Sequence, residues 1–138
     1  MKIDKNYPGL TRAENGDYVL DGDLISDEYI EIDLDDQLFV KGEIRSKEFI
    51  ESAMGIKAGR GITAEEGIEA GCSIKAGWGI TAGWGIKAGT YISAGKRIFA
   101  GVSACRDEND CDKQIICSEL RSGTIAYGDL VIRDGATG

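Results

Sequence analysis

The chain has 138 residues, with 24 acidic and 16 basic side chains, no histidine and a net charge of −8; its isoelectric point is near 4.6. That balance disfavours a general binder of nucleic acid or anionic membrane. No apolar run approaches the ~20 residues of a membrane-spanning helix. Without histidine the usual general base, the Ser-His and Cys-His nucleophile pairs and the commonest zinc ligand are missing.

Residues 1–31 read as an N-terminal cap. Tyr7-Pro8-Gly9 and Asn15-Gly16-Asp17 are turn signals, and Tyr18-Val19-Leu20 and Asp23-Leu24-Ile25 read as short strands. Thr11-Arg12-Ala13-Glu14 has capping-box spacing, but the segment is too short for a helix. The opening MKIDKNYPGL has no apolar signal-peptide core, so the expected location is cytoplasmic, with the thiols reduced.

Residues 32–103 carry a six-residue repeat. Isoleucine falls at 56, 62, 68, 74, 80, 86, 92 and 98, in units such as Ile56-Lys-Ala-Gly and Ile80-Thr-Ala-Gly. The phase extends back through Ile50, Ile44, Leu38 and Ile32, giving twelve hexads. A period of six is not helical. It fits a short strand plus a corner, with Ile at i and Ala at i+2 on one face. Glycine at i+3 is expected to supply an unusual corner φ. Three such sides close a triangular coil of about 18 residues, so the expected fold is an all-β, single-stranded parallel β-helix of four coils. A right-handed coil is expected from the preference of parallel crossovers.

The hexad resembles two families. Left-handed hexapeptide-repeat proteins, many of them acyltransferases, set the small residue two places before the aliphatic one; here Ala follows Ile, and the histidine those enzymes generally use is absent. Bactofilins, polymer-forming bacterial scaffolds, are similar in the architecture of their triangular coils. That resemblance covers residues 32–103 and implies a subunit that stacks end to end.

After Ile98 the rhythm breaks at Cys105-Arg-Asp-Glu-Asn-Asp-Cys111-Asp112. Residues 104–138 read as this polar loop followed by strands over 114–120 and 124–132, a last irregular coil closing the C-terminal end. Ile125-Ala126-Tyr127-Gly128 repeats the hexad with Tyr in the small slot. Cys105, Cys111 and Cys117 are six apart; stacked thiols, a disulfide, or a metal held together with Cys72 are the alternatives, and small buried thiols fit the spacing best. The acidic loop lacks the Gly and distal Glu of an EF-hand. No cofactor and no metal are expected.

An 18-residue coil also predicts which outward residues stack. The i+1 ladders are Asp33, Glu51, Glu69, Lys87; then Phe39, Lys57, Lys75, Ser93; then Arg45, Thr63, Thr81, Phe99. Corner ladders place Trp78 between Arg60 and Lys96, and Trp84 after Glu48 and Glu66. Residues 1–54 have a net charge of −8, and 55–103 of +3. Asp33, Asp35, Asp36, Glu48, Glu51, Glu66 and Glu69 form an acidic flank, either a solvated face or a partner surface. Such a rod is similar in shape and charge to pentapeptide-repeat DNA mimics. Trp78 and Trp84, each flanked by glycines, and Tyr91 are either cation-stacked corner residues or partner anchors.

The expected function is a non-catalytic binding protein. Its acidic flank and Trp corners would engage a protein partner, the expected subclass being an inhibitor of a nucleic-acid-handling enzyme, of the phage anti-restriction or anti-CRISPR type. No direct nucleic-acid or membrane contact is expected. The alternative is a scaffold that homo-oligomerises through the β-helix ends.

Overall fold

A computed structural model of the protein describes residues 1–101 and 114–132. Two short strands, β1 (Lys2–Ile3) and β2 (Thr11–Arg12), precede the coils. The first coil is β3 (Tyr18–Leu20), β4 (Leu24–Ser26) and β5 (Ile30–Ile32). The second is β6 (Leu38–Val40), β7 (Ile44–Ser46) and β8 (Ile50–Ser52). The third is β9 (Ile56–Ala58), β10 (Ile62–Ala64) and β11 (Ile68–Ala70). The fourth is β12 (Ile74–Ala76), β13 (Ile80–Ala82) and β14 (Ile86–Ala88). The fifth joins β15 (Tyr91–Ala100) to β16 (Gln114–Cys117), and the sixth joins β17 (Glu119–Tyr127) to β18 (Asp129–Ile132). No helix among the described residues is long and apolar enough to cross a membrane.

The strands stack in parallel on three faces. The first face runs β1-β5-β8-β11-β14-β16-β18. The second runs β3-β6-β9-β12 to the front half of β15, and the third runs β4-β7-β10-β13 to its back half. Because β15 turns a corner without breaking, the second and third faces form one continuous sheet. The all-β parallel coil is therefore as the period of six requires, and the step between the middle coils is 18 residues, as in Ile50↔Ile68↔Ile86.

The reason for the fold is the two-residue alternation inside each hexad. Ile56, Ile62, Ile68, Ile74, Ile80 and Ile86 are buried, and so are the alanines two places on. Each such isoleucine contributes ~1.5–3 kcal/mol of apolar burial, yet a lone hexad has nothing to bury it against, so the coils are stable only as a stack. Serine takes the small slot at Ser46, where its hydroxyl donates to the Glu28 carbonyl at 2.7 Å.

The repeat glycines have a different role from the one expected. Of those in Ile-x-Ala-Gly only Gly101, at the end of the repeat, has a positive φ, of 77°; the other left-handed glycines lie outside that motif, at Gly9 and Gly16 among others. What the repeat requires is closeness. A Cβ on Gly77 would sit 2.2 Å from the Gly59 carbonyl oxygen, and one on Gly95 would sit 2.0 Å from that of Gly77. The corner backbones pack directly on one another, and only a residue with no side chain fits there.

The phase of the first coil also differs from expectation. Ile30, not Ile32, pairs with Ile50, and Ile32 pairs with Ser52 in the small slot. Tyr18 pairs with Leu38, twenty residues on, so this coil holds two extra residues, and Leu34 turns inward within them. The coils thus begin at Tyr18, before residue 32, and there are six of them. One consequence is that Glu31 rather than Asp33 stands next to Glu51 in the first-face ladder, with Lys2 in register beyond it.

At the other end the final coil is present, but two details change. A bulge lets Phe99 pair with Tyr127, so Tyr127 continues the outward ladder instead of filling the small interior slot. The coil also leaves Leu130 and Ile132 exposed, so among the described residues it does not close the end.

Candidate functional site

The acidic flank is assembled by the first face and its two corners. Glu31, Glu51 and Glu69 stand in register on successive strands, followed by Lys87. Tyr29 lies over this ladder, stacked on Phe49 with ring centroids 6.0 Å apart. Burial, then the charge of Glu51, pushes its phenol up to about 12. Glu48 and Glu66 stack at the preceding corner with Trp84: the Glu66 N–H donates to the Glu48 carbonyl and the Trp84 N–H to the Glu66 carbonyl, while the Glu48 N–H donates to the Ser46 hydroxyl. Asp33, Asp35 and Asp36 lie on the following corner, between β5 and β6, which the two-residue insertion lengthens.

Four of these acids are engaged by the protein's own N-terminal segment. Lys2 lies 3.6 Å from Asp33 and 3.7 Å from Glu31. Lys5 reaches Asp35 at 3.1 Å, and Arg12 reaches Asp36 at 3.6 Å. Asp35 also accepts a 2.6 Å hydrogen bond from the Tyr18 hydroxyl, and with Lys5 this holds its carboxyl down to about 2. Further along, Lys41 and Lys47 pair with Asp21 and Asp27. Much of the flank's charge therefore fastens the N-terminal segment over the first coil. Sequence reading missed this because Lys2, Lys5 and Arg12 look like isolated surface bases.

The aromatic candidates do not form one patch. Trp84 lies at the corner between the third and first faces, in a shallow hollow with Phe49, Glu69 and Lys87. Tyr91 begins the second face in the fifth coil, and the Arg121 guanidinium covers its ring at 3.7 Å. Trp78 stands alone at the corner between the second and third faces. Arg60 from the coil below and Lys96 from the coil above lie 5.3 and 5.4 Å from its ring. The cation stack predicted from the period of 18 is present, and the indole is still 49% exposed.

Trp78 also borders a groove of about 780 Å³. Aromatic Trp78 and Phe99, basic Lys96 and Arg97, and Ser122 and Thr124 line it. The groove exists because the sixth coil cuts the corner. Between Ser93 and Arg97 the fifth coil has three residues, whereas between their partners Ser122 and Thr124 the sixth has only Gly123. Gly123 has a φ of +109°, and a Cβ there would lie 3.1 Å from both Ala94 Cβ and Ile98 Cδ1. Ser122 fixes the shortcut, donating to the Ala94 carbonyl at 3.1 Å. Above Lys96 the corner ladder therefore stops, leaving a notch with a basic rim and aromatic walls.

Chemically the groove can bind, and its lining among the described residues offers no carboxylate or imidazole as general base. Cys117 is a free, buried thiol on β16, and burial raises its pKa. Cys72 is a free thiol on the corner between Met54 and Thr90. Among the described residues, no group of His, Cys, Asp and Glu is arranged to hold a metal ion. Cys105, Cys111 and the acidic loop lie outside the described residues.

Compared with protein-family models, with curated proteins and with solved structures, the chain finds no match. The fold itself defines the class: a parallel β-solenoid of six coils with three faces.

Proposed function

We propose that this protein is a non-catalytic binding protein whose Trp78 groove docks a protein partner. The observation that carries the reading is Trp78 itself: half-exposed, stacked between Arg60 and Lys96, and opening onto a groove walled by Phe99 and rimmed by Arg97. A preorganised aromatic ring with adjacent cations is the composition of an interface hot spot. The complementary partner is a segment with an apolar or aromatic anchor flanked by acidic residues, whose charge Lys96 and Arg97 would meet.

The test is pull-down from extracts of the native host with wild type, Trp78→Ala, Lys96→Glu and Trp84→Ala. The reading requires the same partner band with wild type and Trp84→Ala, and its loss with the other two. Retention of the band by both Trp78→Ala and Lys96→Glu would overturn it.

A second reading is favoured by the Glu31–Glu51–Glu69 ladder: an acidic strip acting as a nucleic-acid mimic toward a nucleic-acid-handling enzyme. Its test reverses Glu51 and Glu69 to Lys, because Asp33, Asp35 and Asp36 hold the N-terminal segment and their reversal would confound the result. Unchanged capture of such an enzyme by the double reversal would exclude this reading.

A further inference from the structure

The two ends of the rod are built differently. At the N-terminal end every inward apolar position is covered. Leu20 is 6% exposed, Leu24 2% and Ile30 0%, and Tyr7 and Leu10 of the N-terminal segment pack against the same core. The edge of β3 is occupied by β2, which runs antiparallel to it. Two edge strands remain: β1, only two residues long and followed by Asp4, and β4, bracketed by Asp21, Asp23, Asp27 and Glu28; shortness and charges of this kind keep an open edge from pairing with another chain.

The C-terminal end has none of these protections among the described residues. Leu130 aligns with buried Ile115 and Ile132 with buried Cys117, so both stand in the column of the core, yet they are 41% and 53% exposed. Leu120 and Ile125 in the same coil are only partly buried. Among the described residues no strand pairs beyond β17 and β18. Residues 114–132 carry only Glu119, Arg121 and Asp129 as charges, and the first two pair with each other at 3.3 Å. The described part of this end is apolar and nearly neutral, with open strand edges, and meets little repulsion from a copy of itself.

We infer that two copies of this chain associate tail to tail through the sixth coil, forming a closed two-fold dimer. The same surface on both partners makes the contact isologous, burying Leu130 and Ile132 against their counterparts and pairing the open edges. The protected N-terminal ends then point outward, and their charge and the antiparallel β2 stop growth there. A head-to-tail filament would need the N-terminal edge that β2 and the acids block. This inference is independent of the groove's partner, since oligomeric state is measured on the purified chain alone.

Sedimentation equilibrium over a wide concentration range tests it. The expected species is a dimer of the 14.8 kDa chain. Leu130→Lys and Ile132→Lys, each with the wild-type circular dichroism spectrum, should raise the dimer dissociation constant at least tenfold, while Ile25→Lys at the opposite end leaves it unchanged. Small-angle scattering of the wild type provides an arm that needs no variant. Six coils at ~4.8 Å make a rod about 30 Å long, so a tail-to-tail dimer extends to about 60 Å. A monomer at every concentration, mass that grows without limit, a side-by-side dimer, or a dimer unaffected by both lysines would each overturn the proposal.

Discussion

The hydroxyl of Tyr18 and one carboxylate oxygen of Asp35 lie 2.6 Å apart, across the insertion that sets the first coil out of step. Lys5 takes the other oxygen at 3.1 Å. The carboxyl is exposed, but with both oxygens engaged its pKa falls from 3.8 to about 2, the Tyr18 bond contributing most. A depressed carboxyl stabilises the fold above its unfolded pKa and stops doing so as pH falls through its folded one. The N-terminal clamp is therefore expected to be intact above pH 3.8 and to loosen toward pH 2. Tyr18→Phe should move Asp35 back up toward the ordinary range. A carbon-detected NMR titration of the Asp35 carboxyl measures this directly, and an unchanged midpoint in the variant would contradict it.

Gly77 and Gly61 separate the two uses of glycine in the corners. A methyl at Gly77 meets the Gly59 carbonyl at 2.2 Å, whereas at Gly61 the nearest atom, the Gly79 carbonyl oxygen, is 3.4 Å away. Gly77→Ala is expected to destabilise by at least ~1–3 kcal/mol, the usual penalty of overpacking. Gly61→Ala should be neutral or stabilising by about 0.4–1 kcal/mol through the unfolded chain. Urea denaturation midpoints of the two variants should move in clearly different ways; equal losses would refute the close-approach explanation.

Trp78→Ala removes an exposed ring from between two cations. Each contact at such a site is worth ~0.5–1 kcal/mol, so the thermal midpoint should fall only modestly. A collapse of the fold would mean that the ring supports the corner, and loss of partner binding in that variant could then no longer be read as loss of an anchor.

Glu51 is flanked by Glu31 and Glu69 in register. Like charges placed opposite one another are destabilising, so Glu51→Gln should gain ~0.2–1 kcal/mol. It should also lower the Tyr29 pKa from about 12, while burial, the larger cause, keeps it above 10. A phenol raised in the folded state supports the fold up to its unfolded pKa and withdraws that support above it. The variant should therefore tolerate alkaline solution better between pH 10 and 12. Absorbance titration of the phenolate, with unfolding monitored in parallel, checks both parts.

The middle of the rod was legible because one rule repeats there. With 18 residues per coil, Phe39, Lys57, Lys75 and Ser93 had to stack, and they do; Trp78 had to fall between Arg60 and Lys96, and it does. The first coil was misread because Ile30 and Ile32 are both aliphatic and both inward; counting by six selects Ile32, and only pairing with Ile50 reveals the insertion. The groove was hidden for a similar reason. It depends on bulges around Arg121 and on Gly123 cutting a corner, and irregular pairing leaves no periodic trace. The partners of Lys2, Lys5 and Arg12 are fixed by how the N-terminal segment folds back, which local sequence does not encode.

The uniform step of the middle coils has a genetic corollary. Duplicating or deleting a block of eighteen codons inserts or removes one storey and leaves each column on its own side of the triangle. A six-codon slip instead rotates everything downstream by one side, so that Trp78 would no longer sit above Arg60. Deleting codons 56–73 would be tolerated by the core, yet it would set Trp78 over Gly42 and strip the indole of one of its two cations. Changes in length by whole storeys thus preserve the architecture while altering who neighbours whom, which gives such a chain a ready means of remodelling its surface without relearning how to fold.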